Sequence, residues 1–223
     1  MKKRTLRKAL YLLTSALLLI SITVGATVAY LTDTDSVTNA FTVGNVHITL
    51  DEALVEYNAA TNVYTAKADG SRTSDTQQYH LLPGTVVAKD PTVHVQANSE
   101  NCYVRALVTF TYKTAADAVL DESWINWDNQ LWTVNPTPVT TKDTEKDTIT
   151  RTYEVRYNSI VEKSASVQDL VIFDKVTIPK TLTNDQIATL QDLSITVVAN
   201  AIQANGFEGS PDDAWVAFEG QKN

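Results

Sequence analysis

The chain reads as a mainly β protein, an antiparallel β-sandwich with one or two short helices behind a cleavable signal helix. Three observations predict it. Apolar and polar residues alternate with a period of two over most of its length. Thr and Val dominate these stretches, and β-branched side chains suit a pleated surface better than a helix. Turn residues recur at short intervals, at Asp69-Gly70-Ser71, Pro83-Gly84 and Asn135-Pro136-Thr137-Pro138, which is the rhythm of a sandwich.

The N-terminus has a different character. A basic head (Lys2, Lys3, Arg4, Arg7, Lys8) leads into an apolar stretch from Ala9 to Val24, which ends in Gly25-Ala26-Thr27-Val28-Ala29. This is the layout of a secretory signal, with a charged region, a hydrophobic region and a small-residue cleavage site. Thr27 and Ala29 are small enough for the two specificity pockets of a signal peptidase, which places the cut before Tyr30. A cut after Ala26 is the alternative. Retention as an anchor is the competing reading, because the uncharged stretch is close to the roughly 20 residues a membrane helix needs. Gly25 interrupts it and favours cleavage. Three segments follow: a signal peptide at residues 1–29, an extended segment at 30–44 and a sandwich domain at 45–223.

Each element of that domain has its own pattern. Val46, Ile48 and Leu50 point one way, while Asn45, His47 and Thr49 point the other. Residues 66–78 and 140–147 are polar and read as solvated loops. Val93, Val95 and Ala97 alternate with Thr92, His94 and Gln96. Cys102, Val104, Ala106, Val108 and Phe110 share one face of a long strand. The lone cysteine there is a small buried hydrophobe rather than half of a disulfide. Ile149, Tyr153, Val155 and Tyr157 form another inner face, which Arg151 interrupts, so a bulge or an edge is expected. Leu170 to Phe173 is a continuous apolar run, as in a strand covered on both faces. Thr183-Asn184-Asp185-Gln186 is a capping box leading into Ile187, Leu190 and Leu193. Leu193, Ile195, Val197, Ala199 and Ala201 form the last long strand. Pro211-Asp212-Asp213 opens a second short helix, with acids in its first turn.

Charge and motifs restrict the function. Loss of residues 1–29 removes five of the 18 Lys and Arg and none of the 26 Asp and Glu, leaving 13 bases against 26 acids and a formal charge of −13. That balance argues against nucleic acid and anionic membranes as partners, and it makes salt a promoter of self-association. The membrane is a partner only before the signal is cut. The chain has no His-Glu-x-x-His, Gly-x-Ser-x-Gly, phosphate-loop or Cys-x-x-Cys motif, so no catalytic residue, metal site or cofactor is expected. His47, His80 and His94 read as surface histidines. Asp33, Asp35 and Asn39 have a faint calcium-loop spacing, but Thr38 and Gly44 stand where that loop needs its glycine and glutamate. Trp124, Trp127 and Trp132, interleaved with Asn, Asp and Gln, fit either aromatics that plug the end of the sandwich or a platform for sugar rings.

The junction Gly25–Asp35, the following Asn39-Ala40-Phe41-Thr42-Val43-Gly44-Asn45-Val46, and the phrases Leu82-Pro83-Gly84-Thr85, Lys89–Val93 and Asn98–Arg105 occur in a telling order. With Ala201–Phe207 and Ala214-Trp215, they resemble the TasA/camelysin family of secreted biofilm-matrix proteins over about half the chain. The resemblance implies a jelly-roll-like sandwich, a dedicated signal peptidase, and assembly into extracellular or cell-surface fibres with itself or related matrix subunits. In that mechanism the freed segment adds as a strand to the next subunit, through Tyr30, Leu31, Val37, Ala40, Phe41 and Val43. An unpaired sheet edge is a template for such addition, and head-to-tail repetition makes filaments. Pairing of residues 30–44 within their own domain is the alternative. A secreted glycan-binding module and, by family analogy, a peptidase are the other functional readings.

Overall fold

A computed structural model describes residues 45–221. Fourteen strands run through this region: β1 (Ile48–Ala53), β2 (Val55–Asn58), β3 (Val63–Ala66), β4 (Arg72–Thr73), β5 (Val86–Ala88), β6 (Thr92–Val95), β7 (Cys102–Lys113), β8 (Ile125–Trp127), β9 (Trp132–Val134), β10 (Val139–Asp143), β11 (Thr148–Tyr157), β12 (Gln168–Val171), β13 (Phe173–Thr177) and β14 (Ser194–Gln203). Two short helices join them, α1 (Asn184–Thr189) and α2 (Pro211–Gly220). The fold is mainly β, as the period-two pattern predicts.

The strands form three sheets. β12-β6-β1-β4 is one, β2-β3-β5-β13-β8 the second, and β10-β11-β7-β14 with β9 beside β11 the third. The first two are linked by chain segments that leave one and enter the other with a kink: β1 into β2 at Leu54, β5 into β6 through Lys89–Pro91, and β12 into β13 at Ile172. All pairings are antiparallel except β3 with β5. The third sheet contributes Val104, Ala106, Val108, Phe110, Tyr153 and Val155 to one buried core, where they meet Val93, Val95, Leu170, Phe173 and Val176 of the other two.

The longest strands behave as their sequences dictate. In β7 every second residue from Cys102 to Tyr112 is buried, and burial pushes the Cys102 thiol up to about 11, so it is an inert packing group. Thr183 accepts a hydrogen bond from the Gln186 backbone while the Gln186 side chain accepts from Thr183 N, completing the capping box of α1. Turns form at the expected positions: Asp69 accepts from Ser71 N at 3.0 Å, and Asn135 from Thr137 N at 3.0 Å. Gly84 has φ +84°, and a Cβ there would lie 2.8 Å from Lys180 Cγ, so this turn needs glycine.

Five expectations are corrected. Arg151 marks neither a bulge nor an edge: β11 pairs with β7 in unbroken register from Thr148 to Arg156, with β10 and β9 on its other side. Its guanidinium instead reaches Asp117 at 3.0 Å and lies 5.8 Å from the Tyr112 ring. The run Leu170–Phe173 is not one strand; it bends at Ile172, whose N–H binds Pro91 O at 3.0 Å, and changes sheet there. Residues 140–143 of the expected loop belong to an exposed edge strand, β10, paired to β11 from Val139 to Asp143, and only 144–147 form the turn. Its threonines and charges suit an edge that must resist pairing with other chains. The loop 66–78 contains β4, held to β1. Ala97 lies beyond the end of β6 and is exposed.

Candidate functional site

β14 is an edge strand. It pairs with β7 from Ser194 to Gln203, and no strand covers its other side among the described residues. Opposite it lies β1, whose Ile48–Asp51 pair only with β6. A groove of about 780 Å³ opens between them. Leu50 of β1, Ile195 and Val197 of β14, and Val87, Val176 and Ile178 from the second sheet line it, with residues 73–81 and α1 along its rim. The inward residues of β14 are therefore only partly buried, although the same alternation in β7 is fully closed. The sandwich has a gap along one edge of its core.

The floor of the gap is not wholly apolar. Glu52 continues the inward series Val46, Ile48, Leu50, and its carboxylate is held by Lys89 Nζ and by Gln77 Nε2 at 3.0 Å. Both side chains of the Lys89–Glu52 pair are nearly buried, at 10% and 12% exposure. Desolvation makes such a pair costly to break and a weak source of net stability. Tyr79 lies beneath it, its ring 5.9 Å from Lys89 Nζ. Burial, with the Glu52 charge beside it, pushes the Tyr79 hydroxyl well above its ordinary value. That hydroxyl is buried, and the Glu52 carboxylate beside it acts on it both as a charge and as a hydrogen-bond acceptor.

A second polar network crosses the outer side of the four-stranded sheet. His94 of β6 joins Asp169 of β12 through Nδ1 at 2.7 Å and Asp51 of β1 through Nε2 at 2.9 Å. Arg72 of β4 continues it, with Nε 2.5 Å from Asp51 and Nη1 2.8 Å from Asp90. Burial works against a charged imidazole, but hydrogen bonds and charge from Asp51 and Asp169 outweigh it and raise the His94 pKa. Two carboxylate partners, one on each ring nitrogen, are satisfied together only by the imidazolium. His94 is therefore not the surface histidine expected; its side chain is 16% exposed. His47 and His80 are exposed.

The signal-cleavage residues Thr27, Ala29 and Tyr30 lie outside the described residues. So do the donor residues Tyr30, Leu31, Val37, Ala40, Phe41 and Val43, and the spacing of Asp33, Asp35 and Asn39. The three tryptophans part company. Trp124 and Trp132 are buried, at 6% and 1% exposure, and Trp132 Nε1 donates to Val171 O at 2.7 Å. Neither can offer a face to a sugar, which corrects that assignment. Trp127 is partly buried against Phe173 and Tyr153, at ring distances of 5.5 and 6.4 Å, and it borders a hollow of about 380 Å³ with Asn126, Asp128, Asn129, Gln130 and Asp174.

Glu52, Lys89 and Tyr79 escape a motif search because they form no motif. The available signal is Glu52 itself, an acid in phase with an apolar face, which demands a buried partner. Among the described residues no group of three His, Cys, Asp or Glu is arranged to hold a metal, and no helix is long and apolar enough to cross a membrane. No known protein family, curated protein or solved structure matches the chain.

Proposed function

We propose that this chain is an exported structural subunit of the extracellular matrix or cell surface, of the TasA/camelysin type. It assembles into fibres when residues 30–44 of one copy, freed by removal of residues 1–29, add as a strand to the open edge of the next. The observation that carries this reading is the gap beside β14: an unpaired edge next to a groove lined by core-type side chains. Such an edge is a standing invitation to strand addition, and natural sandwiches otherwise blunt or cover it. β10, at the opposite edge of the same sheet, is blunted with threonines and charges; β14 presents Ser194, Thr196 and a half-exposed Val198 with no charge between Ser194 and Gln203.

Electron microscopy of the processed chain tests this. Filaments are expected at physiological salt, fewer at low ionic strength where a charge of −13 keeps copies apart, and none after deletion of residues 30–43. A processed chain that stays monomeric at every concentration and salt level overturns the reading, as does unchanged assembly after the deletion. A second reading, glycan contact, retains only the hollow at Trp127, where a ring edge and several amides and carboxylates converge. Quenching of tryptophan fluorescence by oligosaccharides, abolished in Trp127→Ala, is its signature.

A further inference from the structure

We propose that Gln77 and Lys89 join through a side-chain amide, formed within the chain with loss of ammonia and with Glu52 moving the protons. The inference stands apart from strand addition. Three observations in the wall of the groove carry it. Glu52 grips both nitrogens at once, Lys89 Nζ through Oε2 and Gln77 Nε2 through Oε1 at 3.0 Å. The Gln77 amide is fixed at the kink where β1 passes into β2: Nε2 also donates to Ala53 O at 2.9 Å, and Oε1 accepts from Val55 N at 3.0 Å. Lys89 is 9% exposed and the Glu52 side chain 12%, so the carboxylate between amine and amide is largely out of water.

These are the parts that an acyl transfer needs. An amine beside a carboxylate passes it a proton and becomes a nucleophile. A carbonyl oxygen already bonded by a backbone N–H is ready to take up charge as its carbon turns tetrahedral. Lys89 Nζ attacks Gln77 Cδ, and the carbonyl electron pair moves onto Oε1, where the Val55 N–H meets it. The pair then returns, and the Cδ–Nε2 bond breaks with its electrons leaving on Nε2. Two protons pass from Nζ to Nε2 through Glu52. The Lys89 ammonium and the Gln77 carboxamide thus become one secondary amide and one ammonium ion. No further reactant enters, and Glu52 ends as the carboxylate it began as. Fixed neighbours act at very high effective concentration, which is what brings so slow a reaction within reach. A salt bridge alone accounts for the Lys89–Glu52 contact but not for the grip on both ends of a glutamine amide. The bond ties residue 77 to residue 89 in a chain whose lone cysteine, Cys102, is buried and free.

Tryptic digestion and mass spectrometry of the purified chain, incubated at neutral pH, test this. No Lys or Arg stands between Arg72 and Lys89 or between Lys89 and Arg105, and an acylated lysine resists trypsin. The expected product is one peptide, residues 73–105, uncut after Lys89 and about 17 Da light, the mass of the ammonia that leaves. It gives no backbone fragments between Gln77 and Lys89. Separate peptides 73–89 and 90–105 at full mass overturn the inference. So does a cross-link from Lys89 to the peptide that holds Glu52, with loss of water instead of ammonia, or a break between Gln77 and Gln78 that moves the bond to Gln78. Gln77→Leu, which keeps the Lys89–Glu52 pair, is expected to restore full mass and cleavage after Lys89. Glu52→Gln is expected to do the same, and a cross-link that persists in it overturns the role given to Glu52. Should Glu52→Gln fail to fold, the parent chain and Gln77→Leu decide by themselves.

Discussion

His94 shows how one side chain carries information that its sequence context hides. On paper it occupies the polar face of a strand, yet its ring bridges β1 and β12 through Asp51 and Asp169, with Arg72 beyond Asp51. Its pKa is raised in the folded state, so the stability it contributes is fully present below its unfolded value of about 6.5 and is lost as pH rises through the folded value. Asp51 shifts the other way: burial opposes its charge, but His94 and Arg72 hold it below the usual range. Its contribution is present above the unfolded carboxylate value and lost as pH falls through the folded one. His94→Gln is therefore expected to lower the melting temperature most near pH 5–6 and to lose its effect in alkaline solution. Thermal unfolding of both proteins across pH 5 to 9 checks this; an effect that grows with pH contradicts it. Cys102 and Trp132 were legible as packing groups from alternation and size alone. Glu52, Lys89 and Tyr79 were not, since their partners are 37 and 27 residues away along the chain and only the fold brings them together.

At the scale of elements, local chemistry was the reliable guide and pairing was not. The capping box of α1 and the alternation of β7 formed as written, because each depends on neighbours within a few residues. Arg151 misled: it stands between the core residues Ile149 and Tyr153, and its charge is tolerated because the guanidinium reaches Asp117 at 3.0 Å and lies by the Tyr112 ring. The bend at Ile172 was invisible because both halves of the run are buried, and composition cannot show a change of sheet. α2 packs Ala214 and Trp215 against Tyr103, Ile202 and Ala204, pairs Asp212 with Arg156, and is tied to β7 by Arg105. Arg105 of β7 is buried, donates to Asn200 and Glu154 at 3.3 Å and to Glu219 of α2, and stacks 4.4 Å from Trp215. Arg105→Leu is expected to cost about 1–2 kcal/mol by removing the bonds to Asn200 and Glu219 and loosening the helix, while Glu154 keeps Arg156 at 2.8 Å. Urea unfolding followed by tryptophan fluorescence measures it. A loss below about 0.5 kcal/mol, the scale of an exposed pair, contradicts the assigned role.

At the scale of the molecule, the acidic balance and the open edge at β14 fit one account. Among the described residues the apolar alternation of β14 continues beside the groove without a covering strand. The fold class was legible from the sequence; the location of the gap was not, because an edge is a property of strand order rather than of any strand. Cross-linking between copies tests the account most directly. One population carries Phe41→Cys, the other Val197→Cys, each with the buried Cys102 replaced by Ala, and the two are mixed and oxidised during assembly. The account predicts disulfide-linked dimers of one copy of each kind, in proportion to filament mass. Filaments without that cross-link, or a disulfide that forms only when both cysteines are in one chain, would contradict it.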